Sequence, residues 1–253
     1  MTSFTAHNVQ LPDGTATFPD AGIFLVDNPW FHAARNVVRL LYGDNTRGKS
    51  IADLGCLEGG YTVAFAQMGM EATGIEVRPS NIENCRYLEE KFGLSNLHFI
   101  QDDALNIGNH GPWDVIFCCG LLYHLESPRS YVKLMGEMAR DAVIINTHFA
   151  TETPSSVFTL SEMTEHEGLP GRWYAEHDLE SSEQLDKLKW SSWANKRSFW
   201  LTRPALLQSL SDAGFNMVFE LVDHLGHNIL PEMTTGGYAK QSRGMFVGIR
   251  VRR

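Results

Sequence analysis

The sequence feature that most constrains the fold is a regular alternation of short apolar strands with helical segments from residue 50 to residue 149. Strands that alternate with helices need crossover connections, and these connections place the strands side by side in parallel. The stretches WDVIFCCG (113–120) and AVIINTHF (142–149) are apolar on both faces, as central strands of a parallel sheet are. The pattern therefore predicts an α/β fold with helices on both faces of a mostly parallel sheet.

The pattern changes outside this region. Residues 1–45 combine an irregular arm with a helix over 29–42, and residues 150–200 are rich in tryptophan, acidic residues and serine without clean periodicity. A long segment of this kind inside a compact domain usually has a function, and we interpret it as an insertion after strand five that acts as a lid. Residues 46–149 and 201–253 then form the main domain.

The C-terminal part predicts how the sheet ends. A helix over TRPALLQSLSDAGF begins after Thr202 as its cap, and two strands, NMVFELVD and GMFVGIRV, follow it. A polar, glycine-rich stretch joins these strands, and no helix is predicted between them, so we expect them to pair antiparallel. The expected sheet has seven strands, with an antiparallel last strand.

Composition narrows the class of protein. The 253 residues carry a net charge of -9, which disfavours a nucleic acid partner because phosphate backbones are held by clustered lysine and arginine. No basic-then-apolar signal opens the chain, and no apolar run reaches the roughly 18 residues of a membrane span. The four cysteines form no C-x-x-C pair, which suits a reducing compartment. We expect a soluble cytoplasmic protein that does not contact a membrane.

The stretch SIADLGCLEGGYTVAFAQ (50–67) reads as a strand, a glycine-rich turn and a helix. Dinucleotide-binding turns usually use G-x-G-x-x-G, whose amides hold a pyrophosphate. Here Asp53 ends the strand and is followed by Gly55 and Gly59. An acid at this point repels a phosphate but attracts a cation or an amine. The turn is therefore expected to hold a positively charged group.

Further carboxylates end the next two strands. Glu76 ends the second strand, where a carboxylate can accept both hydroxyls of a ribose. The third strand ends in Asp102 and Asp103, and we prefer Asp103 for the amine of a purine because Ala104 follows it directly. A ligand with a cationic amino acid, a ribose and an adenine matches all three positions, and S-adenosylmethionine is that ligand.

The ordered set of Asp-x-Gly-x-x-x-Gly, a strand-ending Glu, Asp-Ala and GLLYHL resembles the class I S-adenosylmethionine-dependent methyltransferases. The resemblance covers residues 45–150 and, more weakly, 200–253, and it implies a Rossmann-like fold with S-adenosylmethionine as cofactor. One departure is Leu57, where many members have glycine. The cofactor-binding residues that the resemblance implies are Asp53, Gly55, Cys56, Gly59, Glu76, Asp103, Ala104, Gly120 and Tyr123.

Candidate catalytic residues follow from the reaction. Methyl transfer from a sulfonium is an in-line displacement, so the protein mainly aligns the nucleophile and excludes water. If the acceptor is a hydroxyl, a histidine base assists by taking its proton. His124 follows strand four and His148 ends strand five, at the sheet edge where ligands enter. A structural role fits these positions as well, with His124 shaping its loop and His148 starting the next one.

The stretch after the sixth strand of the predicted main sheet is compatible with a metal site or with a polar loop. The stretch VDHLGHN places His224 and His227 beside Asp223, and such a spacing arises easily by chance in a chain with ten histidines. A polar loop near the pocket is the preferred interpretation, and no metal is predicted.

The insertion supplies the candidate acceptor-binding residues. Its flat apolar rings and directional polar groups suit a sugar or an aromatic ring, although aromatic residues under long loops also pack into small clusters. The helix over 29–42 either covers the cofactor or mediates a homodimer, and the sequence leaves both open. The candidate substrate-binding residues are Arg172, Trp173, Tyr174, Trp193, Asn195 and Arg197.

Three functions are compatible with these residues. The first is an enzyme that methylates a small molecule or glycan at oxygen, which the acidic composition and the aromatic insertion favour. The second rests on GLLYHLESPRSYVKLM (120–135), which is similar to the same loop and helix in bacterial enzymes that carboxymethylate the wobble uridine of tRNA. In those enzymes the tyrosine at the position of Tyr123 helps hold the cofactor carboxylate. The third is a non-catalytic binding domain, which Leu57 favours and the intact acids oppose.

Overall fold

A computed structural model describes residues 3–153, 157–179 and 181–251 of the chain. The strands are β1 (Ser50–Leu54), β2 (Glu71–Glu76), β3 (Leu97–Gln101), β4 (Trp113–Cys119), β5 (Ala139–His148), β6 (Thr164–His166), β7 (Leu169–Ala175), β8 (Arg197–Leu201), β9 (Met217–Leu221) and β10 (Arg243–Ile249). The helices are α1 (Pro29–Tyr42), α2 (Gly60–Gln67), α3 (Pro79–Phe92), α4 (Pro128–Met138), α5 (Ser182–Lys187), α6 (Arg203–Asp212), α7 (Ile229–Thr234) and α8 (Gly237–Lys240).

The main sheet has seven strands in the order β3-β2-β1-β4-β5-β10-β9. Strands β1 to β5 run parallel, and β10 is antiparallel to both β5 and β9. The predicted Rossmann-like sheet with an antiparallel last strand is therefore confirmed. The chain order reverses between β1 and β4, and ligands of such sheets bind at the carboxyl ends of the strands beside this reversal.

Helices cover both faces of the sheet, as predicted. On one face, Val37 of α1 and Phe65 of α2 pack with Phe117 of β4 in one apolar cluster. On the other, Val132 of α4 and Leu206 of α6 pack in a second cluster with the alternate residues of the same strands. The central strands β4 and β5 are buried on both faces over most of their length, which explains why their sequences are largely apolar.

The connection between β9 and β10 differs from the prediction. We expected no helix there, but it contains a 3₁₀ turn (Asp223–Asn228) followed by α7 and α8. These helices have only six and four residues, so they carry too little periodicity to be recognised in a polar, glycine-rich sequence. None of them crosses the sheet, and β9 and β10 pair antiparallel as predicted.

Between β5 and α6 the chain forms a small antiparallel sheet, in the order β6-β7-β8, together with α5. Hydrogen bonds to backbone groups hold this unit against the main domain. Ser127 at the start of α4 makes no side-chain cap bond, and the carboxylate of Glu167 accepts the backbone N–H of Arg129 at 2.9 Å and of Ser130 at 3.1 Å instead. The N–H of Phe199 also donates to the carbonyl of Leu125 at 2.9 Å.

Across the ranges given above, no helix combines the length and the apolar character needed to cross a membrane.

Candidate active site

A cavity of about 330 Å³ lies at the carboxyl ends of β1 to β4, within the usual size of small-molecule sites of roughly 300–1,000 Å³. Its walls come from these strand ends, the N-terminal arm, the start of α1, residues 189–195 and the start of β10. The sequence-predicted residues that line it are Asp53, Gly55, Cys56, Glu76, Asp103, Ala104, Gly120, Tyr123, His124, Trp193 and Asn195.

Asp53 is a buried acid in this cavity. It is 2% exposed, and its Oδ2 accepts a hydrogen bond from Thr62 Oγ1 at 2.7 Å. Burial raises the pKa of Asp53 to about 7 in spite of this bond, and the nearby charge of Glu76 adds to the rise. A cation bound against Asp53 would favour the ionised carboxylate, so the site is chemically suited to a ligand amine.

Glu76, at the end of β2, holds the glycine-rich turn after β1 through a hydrogen bond to Leu57. The backbone N–H of Leu57 donates to Glu76 Oε2 at 2.9 Å, and that of Arg78 donates to Oε1 at 2.8 Å. Burial raises the pKa of Glu76, although these two bonds oppose the rise. A carboxylate offers about four lone-pair positions, so further positions remain for ligand hydroxyls. Leu57 adopts φ +53°, which is uncommon for a non-glycine residue, so the turn forms with leucine at this position.

Gly55 and Gly59 have different roles in this turn. Both have positive φ, but only Gly55 lines the cavity. A Cβ on Gly59 would come within 2.8 Å of the Phe99 ring, so Gly59 is needed for packing behind the cavity. Cys56 lines the cavity, and its Sγ lies 3.9 Å from that of Cys85 as a free thiol. Burial raises the pKa of both thiols, which keeps them protonated.

The two acids after β3 are separated in the structure. Asp103 lines the cavity and accepts the N–H of Leu105 at 2.9 Å, and Ala104 lines the cavity beside it. Asp102 is outside the cavity lining and accepts from His110 Nε2 at 2.7 Å and from Asn106 Nδ2 at 2.8 Å. The sequence preference for Asp103 agrees with this arrangement.

His124 is held by a buried carboxylate that the sequence did not indicate. Its Nδ1 lies 2.9 Å from Glu176 Oε1, and the Glu176 side chain is 1% exposed. Glu176 also accepts from Ser198 Oγ at 2.8 Å and from the Ser192 N–H at 3.1 Å. Burial raises the pKa of Glu176, but the bond and charge of His124 outweigh it and leave the pKa lowered. The contact with Glu176 fixes the orientation of the imidazole.

His148 lies outside the cavity lining. Its ring stacks on Trp200 at 4.9 Å between centroids and meets the edge of Tyr123 at 4.8 Å. Its Nδ1 is 3.1 Å from the carbonyl oxygen of Ser242. Burial, together with the charge of Arg243, lowers the pKa of His148 to about 4. These contacts give His148 a packing role, outside the lining of the cavity.

The candidate acceptor residues of the insertion divide into two groups. Trp193 and Asn195 line the cavity, and Asn195 Nδ2 donates to the His124 carbonyl at 3.0 Å. Four others lie outside the lining, namely Arg172, Trp173, Tyr174 and Arg197.

Those four residues have structural partners instead. The guanidinium of Arg172 donates to the carbonyls of Thr151, Ser161 and Glu152. Arg197 lies 4.1 Å from the Trp173 ring and pairs with Glu126 at 2.8 Å, and Tyr174 stacks on Trp200 at 5.2 Å.

The N-terminal arm covers the cavity through a contact that the sequence did not indicate. Glu58 is fully buried, and its carboxylate accepts the backbone N–H groups of Thr5, Ala6 and His7 at 2.9–3.0 Å. Lys189 Nζ reaches the same carboxylate at 2.9 Å. We call Glu58, residues 5–7 and Lys189 the Glu58 clasp. It joins the arm to the segment 189–195 above the cavity.

Trp30 and Arg243 also line the cavity and were not predicted. Trp30 lies at the start of α1, and the ring of His224 stacks on it at 4.0 Å. Asp223 Oδ2 accepts from Asn36 Nδ2 at 2.9 Å, so these residues of the VDHLGHN stretch serve packing. Within the described part of the chain, no group of three histidine, cysteine, aspartate or glutamate side chains could hold a metal ion.

Comparison with known proteins identifies the family. A family profile described as a methyltransferase domain matches residues 45–198. A ubiquinone biosynthesis O-methyltransferase of Proteus mirabilis is 29% identical over 111 residues, 42% of this chain and 45% of that protein. A tRNA U34 carboxymethyltransferase of Wolinella succinogenes is 31% identical over 140 residues, 49% of this chain and 47% of that protein. The matches thus span about half of the length of these relatives.

A solved structure shares the fold. The N-terminal domain of EvdMO1 with S-adenosylhomocysteine bound has a TM-score of 0.63 and 21% identity, over 89% of this chain and 82% of that one. The same domain solved with S-adenosylhomocysteine and D-fucose aligns equally well, with a TM-score of 0.63. The family match covers more than half of the chain, and the cavity brings together the acids expected of that family. The chain therefore belongs to the class I S-adenosylmethionine-dependent methyltransferases.

Proposed function

We propose that this protein transfers a methyl group from S-adenosylmethionine to a hydroxyl oxygen of a small molecule or glycan, with His124 as the base. The observation that carries the proposal is the meeting of three acids, Asp53, Glu76 and Asp103, with His124 in one cavity. Glu176 holds this histidine from outside the cavity lining. The acids match the cofactor, and the paired histidine matches the removal of a hydroxyl proton.

The cavity residues fit the cofactor in charge and position along the strands. Asp53 would hold the cationic amino group, Glu76 the ribose hydroxyls and Asp103 the adenine amine. S-adenosylmethionine supplies a methyl group on a positively charged sulfur, which leaves as a neutral thioether. Gly120 and Tyr123, after β4, would flank the reacting region beside His124.

The chain's own part in the reaction is alignment and proton removal. The acceptor oxygen uses a lone pair to form the new C–O bond as the C–S bond breaks, and the C–S electron pair stays on sulfur. His124 takes the hydroxyl proton, and Glu176 stabilises the imidazolium that results. The Glu58 clasp and residues 189–195 exclude water, which keeps the acceptor oxygen as the nucleophile.

The acceptor class rests on the cavity wall. Trp193 and the 68% exposed Trp190 offer flat apolar faces, and Asn195 offers a directional polar group. Such a wall suits a sugar or an aromatic ring. The names of two similar proteins agree with a small acceptor, since one is a ubiquinone biosynthesis O-methyltransferase and the other was solved in the presence of D-fucose.

A second candidate function is carboxymethyl transfer to tRNA. One observation favours it: Arg243 lies 5.7 Å from the Tyr123 ring, so a cation is available beside the tyrosine that the resemblance assigns to a cofactor carboxylate. The net charge of -9 opposes it, because tRNA binding needs basic surface. RNA that co-purifies, or binding with a steep salt dependence, would favour this candidate.

The proposal is tested first by calorimetric titration with S-adenosylmethionine and S-adenosylhomocysteine. We expect micromolar binding, about -8 kcal/mol. Glu76→Ala should weaken it by about 100-fold, because two ribose hydroxyls lose hydrogen bonds to a charged acceptor. Glu71→Ala, at the exposed start of the same strand, is the matched control and should bind normally. If the folded wild-type protein binds neither ligand, the proposal fails.

Binding should also depend on pH through Asp53. Its pKa of about 7 means that the carboxyl is protonated below pH 7 in the empty site, whereas a bound amine favours the ionised form. Affinity should therefore rise with pH, by up to about tenfold per unit below pH 7, and level off above it. Titration from pH 5.5 to 7.5 in buffers of different ionisation enthalpy measures the proton released. Asp53→Asn should remove most of the dependence, and a flat wild-type profile would contradict this role.

A further inference from the structure

Arg243 is a cavity cation whose orientation is built into the sheet. It is half-buried as the first residue of β10, and it lies opposite His148, the last residue of the neighbouring strand β5. Its Nε donates to Asn146 Oδ1 at 2.8 Å, and Asn146 is fully buried. A buried amide that holds Nε leaves the two terminal nitrogens, with four N–H donors, to point elsewhere.

Those terminal nitrogens have no oxygen partner in the described ranges. In the described part of the chain no carboxylate lies within ion-pair distance of Arg243, and Nε makes its single hydrogen bond to oxygen. The Cys119 thiol, a weak acceptor, is the other polar group beside the guanidinium. The other two cations of the cavity are occupied. Arg78 donates to the carbonyls of Leu185, Leu188 and Ser191, and Lys189 binds Glu58. Arg243 is thus the cavity cation that still has donors to offer.

The surroundings of Arg243 place it at the reacting end of the cavity. Its Cζ lies 5.7 Å from the Tyr123 ring and 5.8 Å from the Trp30 ring, and its Nη2 would lie 3.8 Å from a Cβ on Gly120. The imidazole of His124 lies 4.2 Å from the same Tyr123 ring. Arg243 and His124 therefore both lie against the Tyr123 ring, beside the loop that follows β4.

We propose that Arg243 binds a carboxylate of the methyl acceptor, and that the acceptor is a hydroxy acid, such as a phenolic acid or a sugar acid. This inference rests on the proposed function. The planar guanidinium fork matches a carboxylate through two parallel hydrogen bonds. A carboxylate here would also reduce the repulsion between two positive charges, the sulfonium of the cofactor and the guanidinium of Arg243, in a partly desolvated site. His124 takes the proton of the hydroxyl, and the carboxylate sets which hydroxyl faces it.

The test compares the binding of carboxylic acids with that of their neutral analogues, here called twins, on protein already loaded with S-adenosylhomocysteine. The probes are 4-hydroxybenzoate against 4-hydroxybenzamide, D-glucuronate against D-glucose, and acetate against acetamide, titrated at constant ionic strength. Wild-type protein should bind at least one acid about tenfold more tightly than its twin, or 1.4 kcal/mol. Arg243→Gln should remove this preference and keep S-adenosylhomocysteine binding. Arg140→Gln, an arginine paired with Asp114 outside the cavity, is the matched control.

Each other outcome overturns the inference. Equal binding of all acids and twins by loaded wild-type protein would show that Arg243 selects no carboxylate. A preference that survives Arg243→Gln would assign it to another cation. Loss of S-adenosylhomocysteine binding in Arg243→Gln would place Arg243 in the cofactor site. Tighter binding of carboxy-S-adenosylmethionine than of S-adenosylmethionine, lost in Arg243→Gln, would place the carboxylate on the donor and favour the tRNA candidate. Absence of S-adenosylhomocysteine binding in wild type would be a failure of the proposed function itself.

Discussion

Replacing His124 with alanine is expected to lower kcat by roughly 100- to 10,000-fold, the usual contribution of a general base, while cofactor affinity stays unchanged. The reason is that the cofactor and the acceptor are assigned to different parts of the cavity. The acids Asp53, Glu76 and Asp103 are assigned to the cofactor, whereas His124 borders the region beyond Gly120 where the acceptor would lie. The measurement is steady-state kinetics with an acceptor found by screening hydroxy acids, together with titration of S-adenosylhomocysteine into the same variant.

Glu176→Gln should lower kcat by about 10- to 100-fold with little change in KM. A loss of this size corresponds to the free energy of one hydrogen bond to a charged group. The glutamine keeps the volume but cannot stabilise the imidazolium. His98→Ala, an exposed histidine on β3, is the control for the loss of a histidine elsewhere. A His124→Ala enzyme with wild-type kcat would end the assignment. A greater loss in His148→Gln would move the base to the end of β5.

The second large effect is expected from Glu58→Ala, which should lower the free energy of unfolding by about 3–5 kcal/mol. The carboxylate accepts three backbone N–H groups of residues 5–7 and the ammonium of Lys189, and it is fully buried. Its removal leaves those donors unpaired and releases the arm from the cavity. The hydrogen bonds outweigh burial and lower the pKa of Glu58, so the clasp is stable above the ordinary glutamate pKa and weakens as pH falls through the lowered value.

Urea unfolding followed by circular dichroism measures this loss, and limited proteolysis reports whether the arm is released. Glu58→Gln should be intermediate, because one oxygen acceptor survives without the charge. Glu137→Ala removes a glutamate from an exposed pair with Lys133 and should change stability by less than about 1 kcal/mol. A Glu58→Ala protein as stable as the Glu137→Ala control, with an arm equally resistant to protease, would refute the role of the clasp.

The central part of the site could be predicted because parallel strands end at one edge of a sheet. Asp53, Glu76 and Asp103 each follow a strand, so their order along the chain was enough to bring them together. The choice between Asp102 and Asp103 rested on Ala104, which follows Asp103 directly. The loop after β4 placed Tyr123 and His124 in the cavity for the same reason.

The rest depends on contacts between distant parts of the chain. Glu58 binds residues more than 50 positions away, and Glu176 meets His124 across 52 positions, so neither contact has a local signal. In the insertion, composition indicated aromatic and polar residues but not their register. Trp173 and Tyr174 proved to be strand residues that pack against neighbouring strands, whereas Trp193 and Asn195 lie in the loop before β8 that faces the cavity.

The cap that Glu167 places on α4 limits how acceptor specificity can be engineered. A chimaera that exchanges the whole segment from 150 to 200 for that of a homologue removes the Glu167 cap. It also removes most of β8, whose Phe199 bonds to Leu125, so the main domain loses contacts that stabilise it. Recombination that exchanges only residues 190–195 leaves both in place and also keeps Lys189 of the Glu58 clasp. If the acceptor binds against this loop as proposed, the short loop is the unit to exchange for a new acceptor preference, and the small sheet stays with the main domain.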